Sequence, residues 1–501
     1  MDEPDERNPS MSGADGGNGD PSLPGVLLIG GLPRGGTTAL ADVLNESADI
    51  AVMAEYRLLS LVHDLRPILQ YEQDILRDET LVKGAKVPAE ILAEVPTALP
   101  ASDITVPRLP AELPANDIAA EQAASRAAEP ASFYELFSSP DLERPLRFPT
   151  TQRFPAIVAG VVRTSLNKPH ARIIGSKTPG TMLFDEGDSL AVMFAGVRYI
   201  AMLRSPTEQI NSSLNRRNRA GEGLDFWHLR TVGDAIDEYV RIICGLLVLH
   251  DRVGGALLFV KYEDLLADPT STVEAVLTHL GTDWRPERQF VHAERGARSI
   301  LSHDEQQEIS SRLGGVIDGW EAARLTGSEG IDLALFNSVL PPVPRLPLRL
   351  DQQVSPPCLV HGWSIPEADG VWTDARSAFM IFRGEDSSPS LLKLVCSPYL
   401  AGGRPLHLEL LVNGQKLGQA MLCPGAGVFM PPEANAIIVP DWMEPVTLWF
   451  GPVVLRPDTH NLVELRMEGI ASPKALGHGD DVRELGVKLS EVQFVAMENA
   501  S

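Results

Sequence analysis

The sequence predicts an α/β fold, a parallel sheet flanked by helices, followed by an all-β sandwich. Short apolar runs separated by helical patterns recur from Val26 to Val260, a glycine-rich loop joins the first run to the first helix, and beyond residue 350 the apolar period drops to two. Strands separated by helices imply parallel neighbours covered on both faces. In such sheets ligands bind at the carboxyl ends of the strands, which selects the candidate site residues.

The elements follow in order. Residues 1–22 are rich in Asp, Glu, Gly, Asn and Pro with almost no large apolar residue, so a disordered acidic tail is expected. Val26 to Ile29 read as the first strand, and Leu40, Val43 and Leu44 mark one face of the first helix. Between them runs Gly30-Gly31-Leu32-Pro33-Arg34-Gly35-Gly36-Thr37-Thr38. Such a P-loop-like turn offers backbone N–H groups and a helix N-terminus to an anion. Thr37 stands where an ATP-binding loop of this kind carries its lysine, and the nearby cation is Arg34, three residues earlier. This argues against an ordinary kinase loop and for a different phosphorylated donor.

A second strand, Ile50 to Met53, leads to Glu55. Residues 81–155 form a Pro- and Ala-rich insertion that breaks regular structure repeatedly, with Val95-Pro96, Val106-Pro107 and Leu113-Pro114 among its breakers. Strands at 171–177, 197–203 and 256–260 follow, and their ends bring Lys177, Arg204 and Tyr262 to the same edge as Arg34 and Glu55. After Leu203, Ser205 is an N-cap, Pro206 a first-turn residue and Glu208 the partner of a capping box; Ser212 lies in the second turn of that helix.

Composition bounds the partners. A net charge of −24 over 501 residues disfavours nucleic acid as a partner, and no apolar run approaches the ~20 residues needed to span a bilayer. Four widely spaced cysteines with no C-x-x-C pair fit reduced thiols in a cytoplasmic protein. His228, His250, His279 and His292 show no metal-ligand spacing, so no metal is expected.

Taken together, these residues resemble the PAPS-dependent sulfotransferases, most closely the branch holding tyrosylprotein sulfotransferases and many bacterial enzymes. Pro33 to Thr38 is similar to that family's 5′-phosphosulfate loop, Arg204 with Ser212 to its 3′-phosphate site, and Lys261-Tyr262-Glu263-Asp264-Leu265 to the element after its last strand. Glu55-Tyr56-Arg57 resembles the branch's base followed two residues later by arginine, and Ser176-Lys177-Thr178-Pro179 its lysine element. The resemblance implies the sulfotransferase fold over 23–340 and sulfuryl transfer from PAPS to an acceptor hydroxyl, releasing PAP without a metal. It further implies Glu55 as base and Arg34 and Lys177 as stabilisers of the moving charge. Gly35, Gly36, Thr37 and Thr38 would hold the 5′-phosphate, Arg204, Ser212 and Tyr262 the rest of the nucleotide, and Arg57 the acceptor. Ser299 and Ser302 fall where related enzymes sometimes place a serine near the transferring group. Arg216, Arg217 and Arg219 form a basic helix end.

Residues 341–350 are proline-rich and read as a stiff linker, and 351–501 as the β-sandwich. Leu406, Leu408, Leu410 and Val412 alternate up to Asn413-Gly414, a two-residue hairpin signal, and strands over 416–421, 446–450, 461–467 and 488–496 continue the theme. The stretch from Gly362 to Thr373 resembles β-sandwich modules appended to bacterial glycan-modifying enzymes. Trp363, Trp372, Trp442 and Trp449 serve either as sugar-stacking surfaces or as core and interface residues. A saccharide or glycoconjugate acceptor is therefore preferred, with oligomer assembly through the sandwich as the alternative role. A tyrosyl or small-metabolite hydroxyl, a P-loop kinase and a catalytically silent nucleotide scaffold remain as rivals.

Overall fold

Both faces of the N-terminal sheet are buried, and this is why its strands read as uninterrupted apolar runs. The computed structural model describes residues 25–33, 35–53, 159–160, 162–177, 194, 196–220, 231–284, 286, 299–350, 356–400, 403–424, 436–439 and 444–497, with the backbone alone for 216–220 and 436–439. Strands β1 (Gly25–Gly31), β2 (Ile50–Met53), β3 (Ile173–Lys177), β4 (Val197–Leu203) and β5 (Leu257–Lys261) form one sheet in the order β2-β3-β1-β4-β5, every pair parallel. Around it lie α1 (Thr37–Leu44), α2 (Pro206–Ala220), α3 (Val232–Val253), α4 (Tyr262–Ala267), α5 (Pro269–Leu280) and α6 (His303–Trp320). Alternate strand residues serve opposite faces. Leu27, Ile29, Ile200, Met202, Leu258 and Val260 pack with α1, α4 and α5, whereas Val26, Leu28, Tyr199, Ala201 and Leu203 meet α2, α3 and α6. Each fully buried valine, leucine, isoleucine or methionine among them contributes about 1.5–3 kcal/mol relative to exposure.

The C-terminal region is built from β6 (Leu348–Arg349), β7 (Leu359–His361), β8 (Val371–Trp372), β9 (Ser377–Arg383), β10 (Ser390–Pro398), β11 (Leu406–Val412), β12 (Gln415–Pro424), β13 (Ala436–Val439), β14 (Val446–Val453), β15 (His460–Glu468) and β16 (Val487–Ala496). One sheet runs β14-β10-β16-β6, with β8 also on β16, and the other runs β13-β12-β11-β15-β9-β7. Their inner faces share one core, in which Leu392, Leu394, Phe450 and Phe494 meet Met380, Leu408, Leu410 and Leu465. The expected hairpin is present: Asn413 (φ 52°) and Gly414 (φ 78°) join β11 to β12. The β12–β13 pair is parallel, which the strand alternation alone did not signal.

The segment expected as a stiff linker is woven into this region: Val343 N donates to Arg383 O (3.0 Å), Phe494 N to Pro344 O (2.8 Å), and β6 pairs with β16. All four cysteines are buried and free. Of the tryptophans, Trp372 is buried against Tyr399, the half-buried Trp363 donates Nε1 to Phe379 O, and Trp449 is 53% exposed; Trp442 lies outside the described residues. The tail 1–22, the insertion 81–155, His228 and His292 lie outside them as well.

The two regions meet along α3. Val360, Phe379 and Ile381 join the cluster that contains α3, and the Arg252 guanidinium sits 5.0 Å from the centre of the Phe379 ring. Asp251 lies 2.8 Å from His460 Nε2 and 3.7 Å from His250 Nδ1. Burial alone raises the Asp251 carboxyl, but the polar interactions of the neighbouring His250 and of the hydrogen-bonded His460 outweigh it and hold the group well below the usual carboxylate range. A carboxyl depressed in the folded state contributes stability above its unfolded pKa, near 3.8, and loses it as pH falls below that value. Asp251→Asn is thus expected to lower stability by about 1 kcal/mol at neutral pH. In denaturant titrations the difference should shrink progressively beneath pH 3.8, and a constant difference would remove the carboxylate as its source.

Candidate functional site

The loop after β1 is shaped by what it must pass. Leu32 N donates to Met202 O and Gly35 N to Leu32 O, each at 2.9 Å, so the turn is pinned to the end of β4. Gly36 (φ 91°) is the N-cap of α1, and a Cβ there would stand 2.5 Å from Tyr262 Cδ2. Only glycine combines this left-handed backbone with the close approach of the ring. Among the described residues no side chain caps α1, and its first turn holds no acid, so its N-terminal amides and dipole favour an anion. Thr37 is buried and Thr38 exposed. Past the far end of α1, Lys168 Nζ donates to Ser47 O (2.8 Å) and Ile50 O (2.6 Å), tying the turn after the helix to the start of β2.

Gly36→Ala is expected to lower stability by about 1–2 kcal/mol from the left-handed backbone alone. The clash with Tyr262 adds to this, and Gly36→Ala combined with Tyr262→Ala should recover the clash component. An unchanged thermal midpoint for Gly36→Ala would mean that the loop does not depend on this glycine.

The topology assembles most of the predicted residues at one edge. Lys177, the buried last residue of β3, is level with Ile29 of β1, and Gly31 is level with Met202, two residues before Arg204. The Arg204 guanidinium stacks 5.0 Å above the centre of the Tyr262 ring, and Nη2 lies 3.4 Å from Glu208 Oε2. Because the same ring touches Gly36, it forms a wall shared by the loop and Arg204. Ser212 is half-buried on α2, beyond Arg204. Arg34, Glu55 and Arg57 lie outside the described residues, as do the side chains of Arg216, Arg217 and Arg219.

Several polar residues take roles the sequence reading did not give them. Glu208 does not receive the N–H of Ser205: that bond goes to Glu263 Oε1 at 3.0 Å, and Glu208 faces Arg204 instead. Asp264 accepts from Thr326 Oγ1 (2.6 Å), which itself accepts from Lys261 N (3.0 Å), so the acidic pair after Tyr262 fastens α4 to its surroundings. Ser302 is the N-cap of α6, in a full capping box with Glu305. Its Ser-x-x-Glu spacing was the available signal. Ser299 Oγ accepts from Leu301 N at 3.4 Å, and Ile300 N donates to Asn211 Oδ1 at 3.0 Å, which places this strip against α2. Gln209, also unforeseen, reaches from α2 to the carbonyl of Pro33.

Among the described residues no group of three or more His, Cys, Asp or Glu is placed to hold a metal ion, and no helix is long and apolar enough to cross a membrane. A family model described as "Sulfotransferase family" matches residues 25–286, just over half of the chain. No curated protein sequence matches significantly. Among solved structures, the sulfotransferase domain of a Synechococcus olefin synthase is 18% identical, covering 53% of this chain and 78% of that one at a TM-score of 0.29. A Mycobacterium avium sulfotransferase is 15% identical over 61% and 78% of the two chains at a TM-score of 0.30. A carbohydrate-binding module in complex with calcium and xylotriose is 8% identical, over 30% of this chain and 98% of that one, at a TM-score of 0.18. The relation rests on the family match, not on these scores.

Proposed function

From the premise that the chain belongs to the sulfotransferase family, an enzyme class of sulfuryl transfer, we propose that it moves a sulfuryl group from PAPS to an acceptor hydroxyl, preferably of a saccharide or glycoconjugate. The observation that supports the donor assignment is the Gly36–Tyr262–Arg204 contact, which sets a cation-bearing wall beside an anion-binding helix N-terminus. The loop amides, Thr37 and Thr38 hold the 5′-phosphate, Arg34 neutralises the phosphosulfate, and Arg204 and Ser212 hold the 3′-phosphate. Glu55 takes the proton of the acceptor hydroxyl as its oxygen bonds to sulfur. The bond from sulfur to the bridging oxygen breaks, and PAP leaves with the electron pair. Lys177 and Arg34 stabilise the negative charge that grows on the bridging and sulfonate oxygens. Arg57 orients the acceptor, and the β-sandwich over 351–501 presents a glycan.

Calorimetry with PAP and ATP, followed by incubation with labelled PAPS and a panel of glycan, tyrosyl-peptide and metabolite acceptors, tests this reading. Tighter binding of PAP and label on a saccharide are expected. Tighter ATP binding would favour phosphoryl transfer, and label only on tyrosyl peptides or small metabolites would replace the glycan assignment.

A further inference from the structure

The loop that receives the donor is held by more than its own turn. Pro33 has no N–H, so the hydrogen-bonding group it offers is its carbonyl, and that carbonyl accepts from Gln209 Nε2. Gln209 lies on α2, five residues beyond Arg204 and three before Ser212, and its side chain is buried. The same amide nitrogen sits 3.4 Å from Ser213 Oγ. One bond thus joins the residue next to Arg34 to the helix that carries Ser212 and begins two residues after Arg204. The amide has a reason to keep this orientation. Among the described residues neither Gln209 Oε1 nor the Tyr239 hydroxyl, both buried, has a hydrogen-bond partner, and both residues line one small void with Leu32, Pro33, Ile210 and Ser213. The Pro33 carbonyl can only accept, so the NH₂ and not Oε1 must face it.

We propose that Gln209 is a positioning residue that fixes the donor loop to α2, the helix that follows Arg204 and carries Ser212, so that the 5′- and 3′-anion sites are held at one spacing. The inference rests on the donor reading given above. It separates the two ends of the nucleotide, because Gln209 touches the loop side and acts on the 5′-phosphate through Pro33, whereas Arg204 acts on the 3′-phosphate directly. Losing a buried hydrogen bond to the loop leaves the Pro33 carbonyl unpaired, a large perturbation for a loop that must present several amides together.

The experiment compares PAP with adenosine 3′-phosphate, which lacks the 5′-phosphate, by calorimetry on the full chain. Gln209→Met keeps the volume and removes the donor, and Gln209→Glu replaces the donor with an acceptor. Gln209→Met is expected to weaken PAP about tenfold and Gln209→Glu to weaken it further, while adenosine 3′-phosphate binds both variants as it binds the wild type. Equal losses for the two ligands would mean general damage to α2 and would overturn the positioning role. Unchanged PAP affinity in both variants overturns it as well. A wild type that binds neither ligand would overturn the donor reading and this inference together, whereas failure in the variants alone leaves the donor reading standing.

Discussion

Glu55→Ala is expected to cut turnover by a factor of ~10²–10⁴ while leaving PAP affinity unchanged. The expectation comes from where the chain leaves the sheet. β2 ends at Met53, which is level with Ser176, and the next residue of β3 is Lys177. Glu55 follows Met53 by two residues, so the chain reaches it from the same sheet edge that carries the proposed stabiliser of the transferring charge. A carboxylate there has no use in gripping an anionic nucleotide, because it would repel one. Its chemistry suits proton removal from an incoming hydroxyl. Glu55→Gln should lose as much activity as Glu55→Ala, since the amide retains the shape and lacks the basic oxygen. Single-turnover rates with labelled PAPS, beside PAP calorimetry, separate the two functions. Loss of PAP affinity together with turnover would mean that Glu55 shapes the nucleotide site, and the base would have to be sought elsewhere.

How much of this was legible follows from the range of each interaction. The five parallel strands declare themselves because both their faces are buried, and the Asn413-Gly414 turn because two adjacent residues must adopt positive φ. The loop after β1 is legible as well, since its glycines, Pro33 and the strand before them are contiguous. Interactions between residues far apart in sequence leave no such trace. Gln209 meets Pro33 across 176 positions, and His460 meets Asp251 across 209. Glu263 and Asp264 were legible as a motif, yet their partners, Ser205 and Thr326, are set by tertiary packing. Ser302 is a different case. Its capping box was readable locally, but a serine near a suspected site invites a chemical reading before a structural one. The proline-rich segment 341–350 likewise looked like a spacer because proline removes donors, while its carbonyls and remaining N–H groups are those that pair with β9 and β16.

Arg204→Ala should do the reverse of Glu55→Ala and weaken PAP by about ten- to hundredfold, the scale of a lost hydrogen-bonded ion contact. Arg204 is mostly buried, and its guanidinium lies over the Tyr262 ring, 5.0 Å from its centre, so the ring limits where the fork can point before any ligand arrives. Its carboxylate neighbour, Glu208, is 54% exposed and 3.4 Å away, a weak competitor that a phosphate displaces at little cost. Arg204→Lys tests the geometry against the charge. Lysine restores the positive charge without the planar fork, so it should recover only part of the affinity. Tyr262→Phe keeps the ring and should spare binding, whereas Tyr262→Ala removes the surface on which Arg204 lies and the contact that fits Gly36, and should weaken PAP without removing any charge. Full recovery by lysine would reduce the site to simple charge attraction, and unchanged PAP affinity in Arg204→Ala would take Arg204 out of the site. The ordering of alanine below lysine below arginine, with Tyr262→Phe near the wild type, is what a preorganised anion ligand stacked on an aromatic wall requires.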